Sequence, residues 1–101
     1  MEKNTVLIAD DDQHDAELIK RIFRQSRILN RLEVVSDGEE TITYLNGDGK
    51  FADRVAYPYP VLLLLDLKMP KKSGFDVLEW LHGRPKAKDL AVVVLTVVTD
   101  T

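Results

Sequence analysis

Cysteine is absent from the 101 residues, which removes disulfides and thiolate metal sites from consideration. A reducing compartment is compatible with that usage. Cationic excess is absent too: the formal net charge is −3 and the pI is near 5.3, so no broad basic surface for nucleic acid is expected. Apolar runs never exceed strand length, which is far short of a membrane span. The first residues, Met1-Glu2-Lys3-Asn4, lead straight into such a run without a cleavage pattern, so no signal peptide is read and cytoplasm is the expected location. Proline and glycine are sparse, at 4 and 5 residues, and four of these nine fall between positions 47 and 60. Elsewhere the chain has few natural breaks, and its length suits one domain.

What is present is alternation. Val6-Leu7-Ile8-Ala9 reads as a first buried strand, followed by Asp10-Asp11-Asp12. Asp12 suits a helix N-cap with Asp15 in the first turn, and Ala16, Ile19, Ile22 and Phe23 recur at helical spacing to about Arg27. Leu32 to Val35 is a second strand. Ser36-Asp37-Gly38-Glu39 has capping-box spacing, Ile42 and Leu45 supply the next apolar face, and Asn46-Gly47-Asp48-Gly49 stops the helix. The stretch 47–60 is an ordered loop held down by Phe51, Val55 and Tyr57, with Tyr57 and Tyr59 fixing it rather than meeting a partner. Residues 61–65 are a third strand, and Ser73 caps a helix over Gly74 to His82 with Phe75, Leu78 and Leu81 inward and Gly83 as its stop. Arg84 to Asp89 connects to Ala91-Val92-Val93-Val94-Leu95, a fourth buried strand that ends before Thr96. The order βαβαβαβ implies an α/β fold: a parallel sheet with helices on both faces.

The strongest single feature is Asp66, delivered by Val61-Leu62-Leu63-Leu64-Leu65 to the carboxyl edge of the sheet, where open α/β sheets do their chemistry. Asp10, Asp11 and Thr96 end neighbouring apolar runs and fall on the same edge. Carboxylates that share a pocket raise one another's pKa unless a cation intervenes, and a hard divalent ion such as Mg²⁺ suits that donor set. Each residue also has an ordinary reading: Asp10, Asp11 and Asp66 as turn or helix caps, Thr96 as a plain strand end. His14 and His82 lie on expected helices without partners at ligand spacing, and Trp80 reads as helix packing. Lys20, Arg21, Arg24, Arg27 and Arg31 make the end of the first helix basic, either as a solvated face or as a docking surface for an acidic or kinase partner.

Three motifs together, Val6-Leu7-Ile8-Ala9-Asp10-Asp11, Leu64-Leu65-Asp66-Leu67-Lys68-Met69-Pro70 with Gly74, and Val93-Val94-Leu95-Thr96, resemble the receiver domain of two-component response regulators. The long loop before the third strand is similar to that of single-domain receivers paired with phytochrome kinases. The resemblance implies a flavodoxin-like, doubly wound sheet of order 2-1-3-4 over residues 1–101, lacking the family's last helix, strand and helix. It implies that Asp66 accepts a phosphoryl group from a histidine kinase or histidine phosphotransfer protein. Asp10, Asp11, Asp66 and the backbone carbonyl of Lys68 would hold Mg²⁺, and Thr96 would contact a phosphoryl oxygen and carry the switch. Lys68 and Val98 would take the two variable positions that tune dephosphorylation, and Val97 would narrow access where the family has a small residue.

The resemblance also places a lysine on a fifth strand, which has no counterpart here, so impaired phosphorylation chemistry is expected. With strand four as a bare edge, self-association through it is expected as well. Two other classes remain open on the residues alone. One is a haloacid-dehalogenase-type phosphohydrolase with Asp10 as nucleophile, although His14 stands where a small hydroxyl or aliphatic residue is expected and no downstream acidic pair follows. The other is an interaction module that is never phosphorylated. No partner nucleic acid or membrane is expected.

Overall fold

A computed structural model describes residues 4–95 of the chain. Four strands, β1 (Thr5–Ala9), β2 (Arg31–Val35), β3 (Leu62–Asp66) and β4 (Ala91–Leu95), alternate with three α-helices, α1 (Gln13–Gln25), α2 (Gly38–Asn46) and α3 (Gly74–Leu81). Short 3₁₀ turns cover Gly49–Phe51 and Pro85–Asp89. All strand pairs are parallel and the sheet order is β2-β1-β3-β4, the expected flavodoxin-like arrangement.

Period-2 alternation divides β1 between two cores. Leu7 and Ala9 join Val35, Leu63, Leu65, Tyr44, Leu45, Val77 and Leu81 on the face covered by α2 and α3. Val6 and Ile8 join Leu64 and Ala16 on the α1 face, with Ile19 and Phe23 packed against them. Strands buried on both faces read as continuous apolar runs, and the runs in β1 and β3 have this cause.

Several local expectations need correction. The N-cap of α2 is Asp37 rather than Ser36: its carboxylate accepts the Glu40 N–H at 2.6 Å, and the Glu40 carboxylate accepts from the Ser36 N–H, one residue before the cap. The buried α2 face is Thr41, Tyr44 and Leu45, with Leu45 as expected and Ile42 only partly buried against the same core. In α3, Leu81 is buried and Leu78 packs against the core as expected, joined by Val77; Phe75 is 65% exposed, since Gly74, Val77 and Leu81 take the sheet-facing side. Helix α1 stops at Gln25, because Arg27 turns left-handed (φ 58°) and the Ile28 N–H returns to the Phe23 carbonyl; its Ile22 lies exposed. The loop is held by Phe51 and Tyr57 against Tyr44, whose hydroxyl donates to the Pro58 carbonyl, whereas Val55 is 88% exposed at its tip. Finally, β4 is not a buried strand among the described residues: Val93 is 47% and Val94 39% exposed.

Candidate functional site

Register builds the acidic edge. Ala9 pairs with Leu65, so the next residues, Asp10 and Asp66, leave adjacent strands side by side; Asp66 also pairs with Leu95 of β4. The Asp10 N–H still bonds the Val35 carbonyl at 3.0 Å, which ties Asp10 to β2 as well. Asp11 follows at the surface. Carboxylate oxygens of Asp10, Asp11 and Asp66 lie within 4.8 Å of one another. The three predicted carboxylates therefore meet. Thr96, Val97 and Val98 fall outside the described residues.

The three acids differ in surroundings. Asp10 is 5% exposed, Asp66 half-buried and Asp11 exposed. Burial pushes the Asp10 carboxyl up from 3.8 to about 6; the Asp12 N–H, donating to Asp10 Oδ1 at 2.9 Å, pulls the other way, and the charges of Asp66, Asp15 and Asp11 add to the rise. Asp12 itself caps α1 by accepting from the N–H groups of His14 and Asp15, as its position after the first strand implied. Asp66 accepts the Lys68 N–H at 3.1 Å, so the loop after β3 folds back onto its carboxylate. Gly74 is needed at the neck of that loop: a Cβ there would stand 2.6 Å from the Asp66 carbonyl oxygen, and the Gly74 N–H bonds the Leu67 carbonyl.

Beside the acids lies a cleft of about 390 Å³ lined by Asp10, Asp15, Leu18, Ile19, Asp66, Val94 and Leu95. The sequence pattern gives Asp15 only a place in the first turn of a helix. It lines this cleft because α1 begins at the same edge on which β1 ends, a signal available in the Asp12-to-Asp15 spacing. An all-oxygen, all-anionic donor set with one buried member under like-charge pressure fits a hard divalent cation.

The chain matches the response regulator receiver domain over residues 6–101. It belongs to that family. Among curated proteins it is 34% identical over 91 residues to response regulator Rcp1 of Synechocystis sp., covering 90% of this chain and 60% of that protein. Among solved structures, response regulator RPA3017 in red light signaling of R. palustris is 38% identical with a TM-score of 0.82, covering 90% of this chain and 64% of that one. The Mn²⁺-bound form of response regulator Rcp1 is 32% identical with a TM-score of 0.84, covering 96% and 68%. The receiver chain thus spans about 60% of the length of the Rcp1 relative it matches. The phosphorylated cyanobacterial phytochrome response regulator RcpA, 32% identical with a TM-score of 0.82 over 92% of this chain and 64% of that one, carries the resemblance to phytochrome-associated receivers. Among the described residues, no helix is long and apolar enough to cross a membrane.

Proposed function

We propose that this receiver accepts a phosphoryl group on Asp66 from a histidine kinase or histidine phosphotransfer protein, in a compartment such as the cytoplasm. The observation that carries the proposal is the meeting of Asp10, Asp11 and Asp66 at one sheet edge, in a chain of the receiver family. Asp66 stands half-buried at the mouth, with one oxygen oriented by the Lys68 N–H. A carboxylate oxygen of Asp66 attacks phosphorus as the donor's phosphorus–nitrogen bond breaks, and the leaving imidazole keeps the electron pair. Asp10 is poorly suited to that role because it is buried, at 5% exposure, where Asp66 is only half-buried. That weighs against the phosphohydrolase reading.

Asp10, Asp11, Asp66 and the Lys68 carbonyl are the residues that would hold Mg²⁺. When bound, the ion would neutralise charge on the transferring oxygens. Thr96 is assigned the phosphoryl-oxygen contact by resemblance. Self-association through β4 belongs to the same proposal and rests on the exposure of Val93 and Val94.

The test is acyl phosphate, labile to hydroxylamine and alkali, formed from a small phosphoramidate donor with Mg²⁺. Asp66→Asn is expected to abolish it. Label that survives Asp66→Asn and disappears in Asp10→Asn would move the nucleophile to Asp10. A chain that neither binds Mg²⁺ nor takes label would be an interaction module instead.

A further inference from the structure

The start of α2 touches the loop that follows Asp66, and it does so through a glycine. A Cβ at Gly38 would stand 1.9 Å from the Lys72 carbonyl oxygen and 2.5 Å from the Lys72 carbonyl carbon. Those are backbone atoms, so the loop would have to retreat by more than about 1 Å to restore an ordinary contact. The residue before Lys72 is also unusual. Lys71 holds a left-handed φ of 64°, which a lysine adopts only at a cost of about 1 kcal/mol or more when its surroundings impose it. Its Nζ lies 3.7 Å from Asp37 Oδ2. The other oxygen of Asp37 accepts from Glu40 N–H, and the Asp37 carbonyl accepts from Thr41, so Asp37 is itself held in place by the first turn of α2. The Lys71 side chain is largely exposed, so this ion pair is weak, and the glycine contact carries the attachment.

The loop 67–73 is therefore pinned twice. Gly74 closes its neck against the Asp66 carbonyl, and Gly38 presses on its far side at Lys72. Between these two points lies Lys68, whose N–H reaches the Asp66 carboxylate. We propose that Asp37, Gly38 and Lys71 form a latch by which α2 positions the Asp66 loop for cation binding and phosphoryl acceptance. These are positioning residues: none meets the acids directly, and their effect passes through the loop backbone to Lys68 and Asp66. The proposal rests on the reading of Asp10, Asp11 and Asp66 as a cation site. A loop displacement of that size has a known scale of consequence, roughly 10–100-fold in metal affinity for groups that orient ligands and up to about 100-fold in rate.

The experiment uses the full chain and Mn²⁺ as probe, with free ion followed by electron paramagnetic resonance, thermal midpoints by circular dichroism, and labelling by a small phosphoramidate. Gly38→Ala is expected to weaken Mn²⁺ binding about 10-fold and slow labelling by a similar factor. Lys71→Gly relieves the left-handed backbone, so it is expected to keep the melting midpoint while weakening Mn²⁺ about 2–3-fold. Val6→Ala, at the start of β1 in the core under α1, serves as the stability control: a lower midpoint with unchanged Mn²⁺ affinity. A folded Gly38→Ala chain with unchanged affinity overturns the latch, as does an equal loss of affinity in Val6→Ala; both leave the cation site standing. Should Gly38→Ala not fold, Lys71→Gly decides, and unchanged affinity there overturns the latch. Failure of the unmodified chain to bind Mn²⁺, with Asp66→Asn indistinguishable from it, overturns the cation site and the latch together.

Discussion

Strands β1 and β4 are nearly the same word in sequence, Thr-Val-Leu-Ile-Ala and Ala-Val-Val-Val-Leu, and they end in opposite circumstances. Every residue of β1 is buried, while no residue of β4 is. Central placement explains the first: β1 lies between β2 and β3, with α1 on one face and α2 and α3 on the other. Strand β4 is paired on one side only among the described residues. An apolar run states what a strand needs; its neighbours decide what it receives.

The sharpest way to break this comparison is to delete the same kind of atoms from both strands. Leu7→Ala is expected to cost about 3–4 kcal/mol in urea unfolding, and Val93→Ala under about 1 kcal/mol. Equal costs would mean that β4 is covered in solution. The next effect tests the acidic ends that follow such strands. Asp10 has a folded pKa of about 6 against 3.8 ordinarily, so the folded state holds the proton more tightly. The group therefore costs nothing below about pH 4, where both states are protonated, and its full penalty is present above about pH 6. In chelator, stability is expected to rise as pH falls from 7 to 5, and Asp10→Asn to be stabilising by about 1–2 kcal/mol at pH 7. Added Mg²⁺ should stabilise the unmodified chain and reduce that advantage; a mutant less stable than the parent at pH 7 in chelator would contradict it. The smallest effect is on β4 itself. Val93→Lys is expected to change monomer stability by less than about 0.5 kcal/mol while lowering the concentration-dependent mass in sedimentation. No change in mass with concentration, in either chain, would remove self-association through β4.

Much of this was legible in the residues. Element order and the doubly wound sheet follow from runs separated by Asp12, Asp37 and Ser73, each of which caps a helix. The convergence of Asp10, Asp11 and Asp66 was legible because a parallel sheet puts all strand ends on one edge. Side-chain facing was harder. Phe75 is apolar and at helical spacing, yet it faces out; Val77, less conspicuous, is fully buried. Spacing gives a stripe, but packing decides which stripe meets the sheet: from the expected Ser73 cap, α3 turns Gly74, Val77 and Leu81 inward and leaves Phe75 outside. The β4 exposure could not be read from five aliphatic residues, since burial belongs to the assembly around them. The Gly38 contact was invisible for a different reason: it joins residues 34 apart in sequence through backbone atoms, and no side-chain pattern encodes it.

Residues 56–61, in the segment between α2 and β3, lie where β1 and β2 begin, away from the acids: the Arg31 guanidinium donates to the Ala56 carbonyl and the Val61 N–H to the Thr5 carbonyl. The segment carries its own fastening: Arg54 donates to the carbonyls of Leu45 and Tyr57 and rests near the rings of Tyr44 and Tyr59, with Phe51 tilted and Tyr57 edge-on against Tyr44. A segment tied down at its own root behaves as an interchangeable cassette. Its tip can be lengthened, shortened or re-lettered, as at the exposed Val55, without the change reaching Asp66. One end of the molecule is thereby free to diversify while the other keeps its chemistry.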